Sequence, residues 1–108
     1  MTPRRGEVWW VSLDPTLGSE IRKTRPCVVM GTNVLNERRR TVVIVPLSSA
    51  PQAAPPVLVP VMCAGRRAVA VIDQIRAATK ERFTKRLGEL TAEELAAVED
   101  GLRLVLEL

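Results

Sequence analysis

The chain has no histidine and no tyrosine. Without imidazole it lacks both the usual acid–base group of neutral pH and the commonest protein metal ligand. Any chemistry must therefore come from carboxylate, guanidinium, ammonium, hydroxyl or backbone groups. Aromatic residues amount to only 3% (Trp9, Trp10 and Phe83), too few for a broad base-stacking platform. The two cysteines, Cys27 and Cys63, stand apart among apolar neighbours with no CxxC spacing. They read as small strand residues of a reducing compartment, neither a disulfide nor a metal site. No apolar run approaches the ~20 residues that span a bilayer. No signal-peptide-like segment precedes the first strand pattern, so the reading is a cytoplasmic protein with no membrane partner. There is no GxGxxG, no P-loop and no nucleophile elbow.

What remains is 108 residues, 46% of them apolar, enough for one domain spanning 1–108 with a single core. The net charge of +4 hides an asymmetry. Through Leu90 there are fifteen Lys and Arg against seven Asp and Glu; from Thr91 onward there is one Arg against five acids. A basic body with an acidic last segment localises the cationic surface, as a polyanion binder requires.

Hydrophobic patterning gives the elements. Residues 6–13, with Val8, Trp9, Trp10 and Val11, read as a strand that Asp14-Pro15 ends. Residues 25–32 follow as a second strand, whose continuous Cys27-Val28-Val29-Met30 implies cover on both faces. Residues 33–40 read as a polar turn, its three arginines adding a modest pull on phosphate. Residues 41–46 form the clearest strand, and the proline-rich 50–56 an irregular loop. Residues 57–62 make a short strand that Pro60, which cannot donate to a central ladder, demotes to an edge or a bulge. A turn at 65–67 leads into a strand over 68–75, and residues 79–86 read as a short helical turn with Phe83 packed inward. Thr91 with Glu94 three residues on is a capping box, and Leu95, Val98, Leu102, Val105 and Leu106 form one apolar helical face. The fold class is mainly β (α+β): a small antiparallel barrel-like sheet with a C-terminal amphipathic helix.

Three polar stations lie at strand ends: residues 18–25 (Gly18-Ser19-Glu20-Ile21-Arg22-Lys23-Thr24-Arg25), Ser48-Ser49, and Asp73-Gln74-Ile75-Arg76. Pro26 disfavours the helical region at Arg25 and sets that residue at a strand mouth. A guanidinium fork and a short hydroxyl brought together make a phosphate clamp. Plainer roles also fit: Glu20 with Arg25 as a loop ion pair, Ser48 as the start of a loop, Gln74 as a partner for backbone groups.

Arg5-Gly6-Glu7-Val8-Trp9, Gly18-Ser19-Glu20, Thr24-Arg25-Pro26-Cys27-Val28-Val29, Val45-Pro46-Leu47-Ser48-Ser49 and Asp73-Gln74-Ile75-Arg76 together resemble the MazF/PemK (Kid-like) toxins of bacterial toxin–antitoxin systems. The resemblance covers nearly the whole chain, in the family's order and spacing. It implies an SH3-like barrel working as a homodimer, and sequence-specific cleavage of single-stranded RNA with no cofactor and no obligatory metal. It also implies 2′,3′-cyclic phosphate or 3′-phosphate and 5′-hydroxyl ends, and an acidic MazE-like antitoxin as partner. By the same resemblance Arg25 is catalytic, and Ser48 assists it where the family carries threonine. Glu20 completes the catalytic set, and Ser19 and Gln74 line the RNA site; the cationic and polar neighbours Arg22, Lys23, Thr24, Ser49 and Arg76 are expected to contact RNA with them. Ile21-Arg22-Lys23-Thr24 departs from the glutamine and glycines of many members.

Attack by the substrate's own 2′-hydroxyl needs no enzyme nucleophile and explains a preference for RNA over DNA. Arg25 and Ser48 would stabilise charge on the phosphoryl oxygens. The general base stays open: arginine is a poor base, and a neighbouring cation weakens Glu20 in that role. Two other readings belong to different classes. One is a gyrase-poisoning toxin of the CcdB branch, whose aromatic-containing tail Val105-Leu106-Glu107-Leu108 does not match. The other is a non-catalytic nucleic-acid-binding barrel.

Overall fold

A computed structural model of the chain describes residues 2–13 and 23–108. Among the described residues, seven strands form one curled antiparallel sheet, a half-barrel closed on one side by the C-terminal helix. The strands are β1 (Glu7–Ser12), β2 (Thr24–Val29), β3 (Thr41–Ser48), β4 (Leu58–Cys63), β5 (Arg66–Val71), β6 (Arg76–Thr79) and β7 (Phe83–Glu89). Their order is β4-β5-β3-β2-β1-β7, with β6 also paired to β3. β4, which contains Pro60, lies at one edge, where a missing N–H costs no ladder bond.

Both faces of the central strands are apolar, as the unbroken run in β2 requires. Val8, Val28, Val45 and Leu47 join Val59, Val61, Ala70 and Ile72 under the C-terminal helix. Trp9, Val11, Cys27, Val29, Val42 and Ile44 form a second cluster on the opposite face. Phe83 packs edge-on to Trp9, ring centroids 6.0 Å apart. The alternation of β1 sends Trp9 into the core and leaves Trp10 half-buried.

The helix α2 (Ala92–Leu106) starts where its sequence signals. Thr91 Oγ1 accepts from Glu94 N–H at 3.1 Å, and Glu94 Oε1 accepts from Thr91 N–H at 2.9 Å. Val98 is fully buried and Leu95, Leu102 and Val105 pack beside it, while Leu106 is exposed, outside the expected stripe. Arg5 joins three parts of the fold: its guanidinium contacts Met30 O and Glu99, and its N–H donates to Asn33 Oδ1.

Four expectations need correction. Residues 33–40 are not a turn but carry helix α1 (Asn33–Arg38), N-capped by Thr32. Buried Asn36 donates from Nδ2 to Gly31 O at 3.0 Å and holds it down. β3 runs through Pro46 to Ser48 and changes partner there: Pro46 faces Cys27 of β2, whereas Leu47 and Ser48 pair with β5. The strand expected over 68–75 breaks at a 3-10 turn (Ile72–Gln74), with β6 resuming beside the first half of β3. Residues 79–86 hold only a single 3-10 turn (Lys80–Arg82) before β7, which pairs with β1.

Candidate active site

β2 leaves the core at its N-terminal end, so Cys27 to Val29 are buried whereas Thr24 and Arg25 are exposed. β3 does the reverse, buried through Leu47 and emerging at Ser48. The two strands are antiparallel with Cys27 opposite Pro46, which sets the exposed start of one beside the exposed end of the other. The β4–β5 hairpin turns at Ala64 and Gly65, both at positive φ, and brings Arg66 and Arg67 to the same place.

The result is an open cleft of about 410 Å³ lined by Thr24, Arg25, Ser48, Ser49, Arg66 and Arg67. Its apolar floor includes Trp10, Pro26, Leu47 and Leu87. Three guanidinium-bearing residues and three hydroxyls share this cleft, with no carboxylate among the described lining residues. Guanidinium groups hold their charge across the working pH range, so the field here favours an anion. Ser48 Oγ accepts from Ala50 N–H at 3.5 Å, a weak bond that leaves its own proton for a guest. Cys63 also lines the cleft; burial pushes its thiol above the ordinary value, so it stays protonated and is a poor nucleophile at neutral pH. Burial pushes the Cys27 thiol up to about 12 against the lowering pull of nearby Arg76, leaving it an inert core residue.

Thr24, Arg25, Ser48 and Ser49 are thus brought together. Lys23 precedes them in an exposed left-handed turn at φ 65°. Gln74 and Arg76 do not line the cleft: Gln74 closes the 3-10 turn, and Arg76 Nη1 donates to Leu13 O at 3.5 Å. Ser19, Glu20 and Arg22 lie outside the described residues. Arg66 and Arg67 read from sequence as a turn. Their adjacency to Gly65 was a signal, but only the hairpin's pairing with β3 shows which cleft they face. A larger cleft of about 540 Å³ adjoins this one through Ser49, Arg67 and Ala68. Glu94, the carboxylate among its described lining residues, is committed to Thr91 N–H and to Met62 N–H at 2.7 Å.

Residues 4–106 match the family described as PemK-like, MazF-like toxin of type II toxin–antitoxin system. The chain belongs to that family. It is 35% identical over 114 residues to endoribonuclease MazF9 of Mycobacterium tuberculosis, with 97% of each chain covered. To endoribonuclease EndoA of Bacillus subtilis it is 28% identical, covering 100% of this chain and 97% of that one. The crystal structure of MazF from Deinococcus radiodurans superposes with a TM-score of 0.90 at 24% identity, covering 100% and 99% of the two chains. A mycobacterial endoribonuclease in complex with its cognate antitoxin gives a TM-score of 0.81 at 23% identity, covering 98% and 96%. These two likenesses establish the half-barrel with its C-terminal helix as the fold of the MazF toxins. Among the described residues of this family member, no group of three or more His, Cys, Asp or Glu could hold a metal ion, and no helix is long and apolar enough to cross a membrane.

Proposed function

We propose that this MazF-family chain is a sequence-specific endoribonuclease toxin that cleaves single-stranded RNA, including mRNA, by making the substrate's 2′-hydroxyl attack the adjacent phosphate. The observation that carries the reading is the meeting of Arg25 with Ser48 in one cationic cleft, whose described lining residues include no carboxylate or imidazole to activate a hydroxyl as nucleophile. The 2′-oxygen bonds to phosphorus, the bond to the 5′-oxygen breaks, and that oxygen leaves as a hydroxyl after taking up a proton. The products are a 2′,3′-cyclic phosphate, opening to a 3′-phosphate, and a 5′-hydroxyl end.

The protein's part is alignment and charge stabilisation. Arg25 offers two parallel N–H donors to the phosphoryl oxygens and Ser48 a third, donors worth most where they meet charge that grows in the transition state. Arg66 and Arg67 hold the flanking phosphates, together with Lys23 and Thr24. Ser19, Glu20 and Arg22 complete the site from the connection between β1 and β2, with Glu20 the carboxylate available as base. The toxin works in the cytoplasm as a homodimer and is silenced by an acidic MazE-like antitoxin laid over the basic cleft. The charge asymmetry of the chain and the antitoxin complex of the mycobacterial relative support that partner.

Cleavage of a long RNA with excess chelator present, mapped by primer extension, tests the reading. Cuts recur at one short motif, the 5′ ends are hydroxyls, and a 2′-deoxy substitution at the cut site abolishes cleavage. A 5′-phosphate product, or cutting of the deoxy-substituted strand, would overturn the mechanism. Binding without any cutting would make the chain a non-catalytic RNA-binding barrel.

A further inference from the structure

Two arginines that do not line the cleft reach the backbone behind its wall. Arg82 Nη1 donates to the Ser12 carbonyl at 3.0 Å, and Arg76 Nη1 to the Leu13 carbonyl at 3.5 Å. Ser12 and Leu13 form the far end of β1, and that end is coupled to the start of β2. Ser12 is paired with Thr24 and Val11 with Arg25, and Leu13 N–H donates to Lys23 O at 2.9 Å.

The two guanidiniums arrive from different directions. Pairing between β1 and β7 ends at Val11 and Phe83, and Arg82, the residue before Phe83, extends the grip on β1 with its side chain after the ladder stops. Arg76 comes from β6, where it is paired with Ile44 of β3. Consecutive carbonyls are therefore held by guanidiniums from two elements: closely by Arg82, whose charge-assisted bond from a planar fork is directional, and weakly by Arg76 at 3.5 Å. The tie has something to restrain. Lys23 sits at φ 65°, a region that non-glycine residues seldom occupy, and Lys23, Thr24 and Arg25 are all exposed.

We propose that Arg82 and Arg76 are positioning residues for RNA cleavage: they clamp the end of β1 and, through its pairing with Thr24 and Lys23, hold Arg25 in register with the scissile phosphate. The inference rests on the ribonuclease reading above. In-line attack tolerates little misplacement, so loosening this stem lowers the rate of the chemical step more than it lowers RNA affinity. A direct phosphate contact by either arginine would do the opposite.

The full-length variants Arg82→Gln, Arg76→Gln and Arg82→Lys separate the two. Steady-state cleavage of a single-site RNA is measured beside the salt dependence of binding to its 2′-deoxy-substituted analogue. Amide exchange is followed at Leu13, with Val28 and Val45 as core references. Positioning predicts that Arg82→Gln lowers kcat about tenfold or more with KM within about twofold. It also predicts an unchanged salt slope, faster exchange at Leu13 with Val28 and Val45 still protected, and partial rescue by lysine. Arg76→Gln shows the same pattern, more weakly because its bond is longer. A raised KM with unchanged kcat, and a salt slope smaller by about one charge, would overturn the inference in favour of direct RNA contact. Wild-type kcat together with wild-type exchange at Leu13 would overturn it as well. A wild-type chain that cuts no RNA removes the ribonuclease reading and the catalytic half of the clamp with it; exchange at Leu13 then decides the structural half alone.

Discussion

Arg25 and Ser48 are asked for different things in the same step. Lysine in place of Arg25 keeps the charge but loses the planar fork, so Arg25→Lys should lower kcat at least about a hundredfold while RNA affinity changes little. Single-turnover cleavage at saturating enzyme checks this; near-wild-type rates would remove Arg25 from the catalytic centre. Ser48→Ala removes one neutral donor and should cost about fivefold, since a net hydrogen bond contributes roughly 1 kcal/mol. A separate prediction concerns Glu7. Burial alone would raise its pKa, but the Arg4 N–H at 2.7 Å, the Trp9 indole N–H at 3.0 Å and Arg86 Nε at 2.7 Å all donate to it and hold it below its ordinary value. A carboxylate held low in the fold contributes stability fully above its unfolded value, about 4.3, and loses it as pH falls through the folded value. Glu7→Gln should flatten the acid limb of the stability curve and cost no more than about 1 kcal/mol at neutral pH, because Arg86 is half exposed. Urea melts from pH 3 to 7 (about the range where carboxylates titrate) check it.

At the scale of elements, β1, β2, the edge strand β4 and α2 were legible because their apolar residues recur at the right period or their caps use the right side chains. The two last strands were not. β7 is rich in Lys85, Arg86 and other polar residues and lies at the sheet edge, where charge guards against mispairing but erases alternation. Its strand form is imposed by β1, some seventy residues away in sequence, in pairings such as Trp9 with Arg86. Helix α1 has six residues and leaves Val34 and Leu35 exposed, so it shows no apolar stripe to read. In α2, glycine is required by packing rather than by backbone shape. A Cβ on Gly101 would come within 2.8 Å of Pro56 O and 3.1 Å of Ile72 Cγ1. Gly101→Ala gains about 1 kcal/mol of helix propensity yet should destabilise on balance, because overpacking costs typically 1–3 kcal/mol or so. A lower urea midpoint with an unchanged m-value is the expected result; a higher midpoint would show that the 50–56 loop yields.

For the whole molecule, the candidate site was legible as residue types and scattered as positions. Arg25 and Ser48 were visible at strand ends, but Arg66 and Arg67 became part of the cleft only through the pairing of β5 with β3. Conversely, Arg76 stands in a motif that reads as RNA contact, yet its guanidinium is turned to Leu13 O. Distance in sequence hides such choices, since a guanidinium on a strand can serve a ligand or its own backbone. The cationic body predicts that association with RNA weakens steeply with salt. With Arg25, Arg66, Arg67 and Lys23 all engaged, the slope of log K against log salt should be about −3 for single-stranded RNA. Fluorescence anisotropy on a noncleavable strand checks this, and a slope near zero would exclude the cleft as the binding face.

The change of partner within β3 has a mechanical consequence. Arg25 stands on a strand zipped to the middle of β3, from Ile44 to Pro46, and Ser48 at the end of β3, zipped to a different neighbour. The gap between donor fork and hydroxyl is therefore spanned by one continuous piece of backbone, braced left and right of a residue that cannot donate a bond. Widening that gap means unzipping a ladder. A strand of RNA must arrive already able to fit the spacing, and the gauge it meets is cut into the sheet itself.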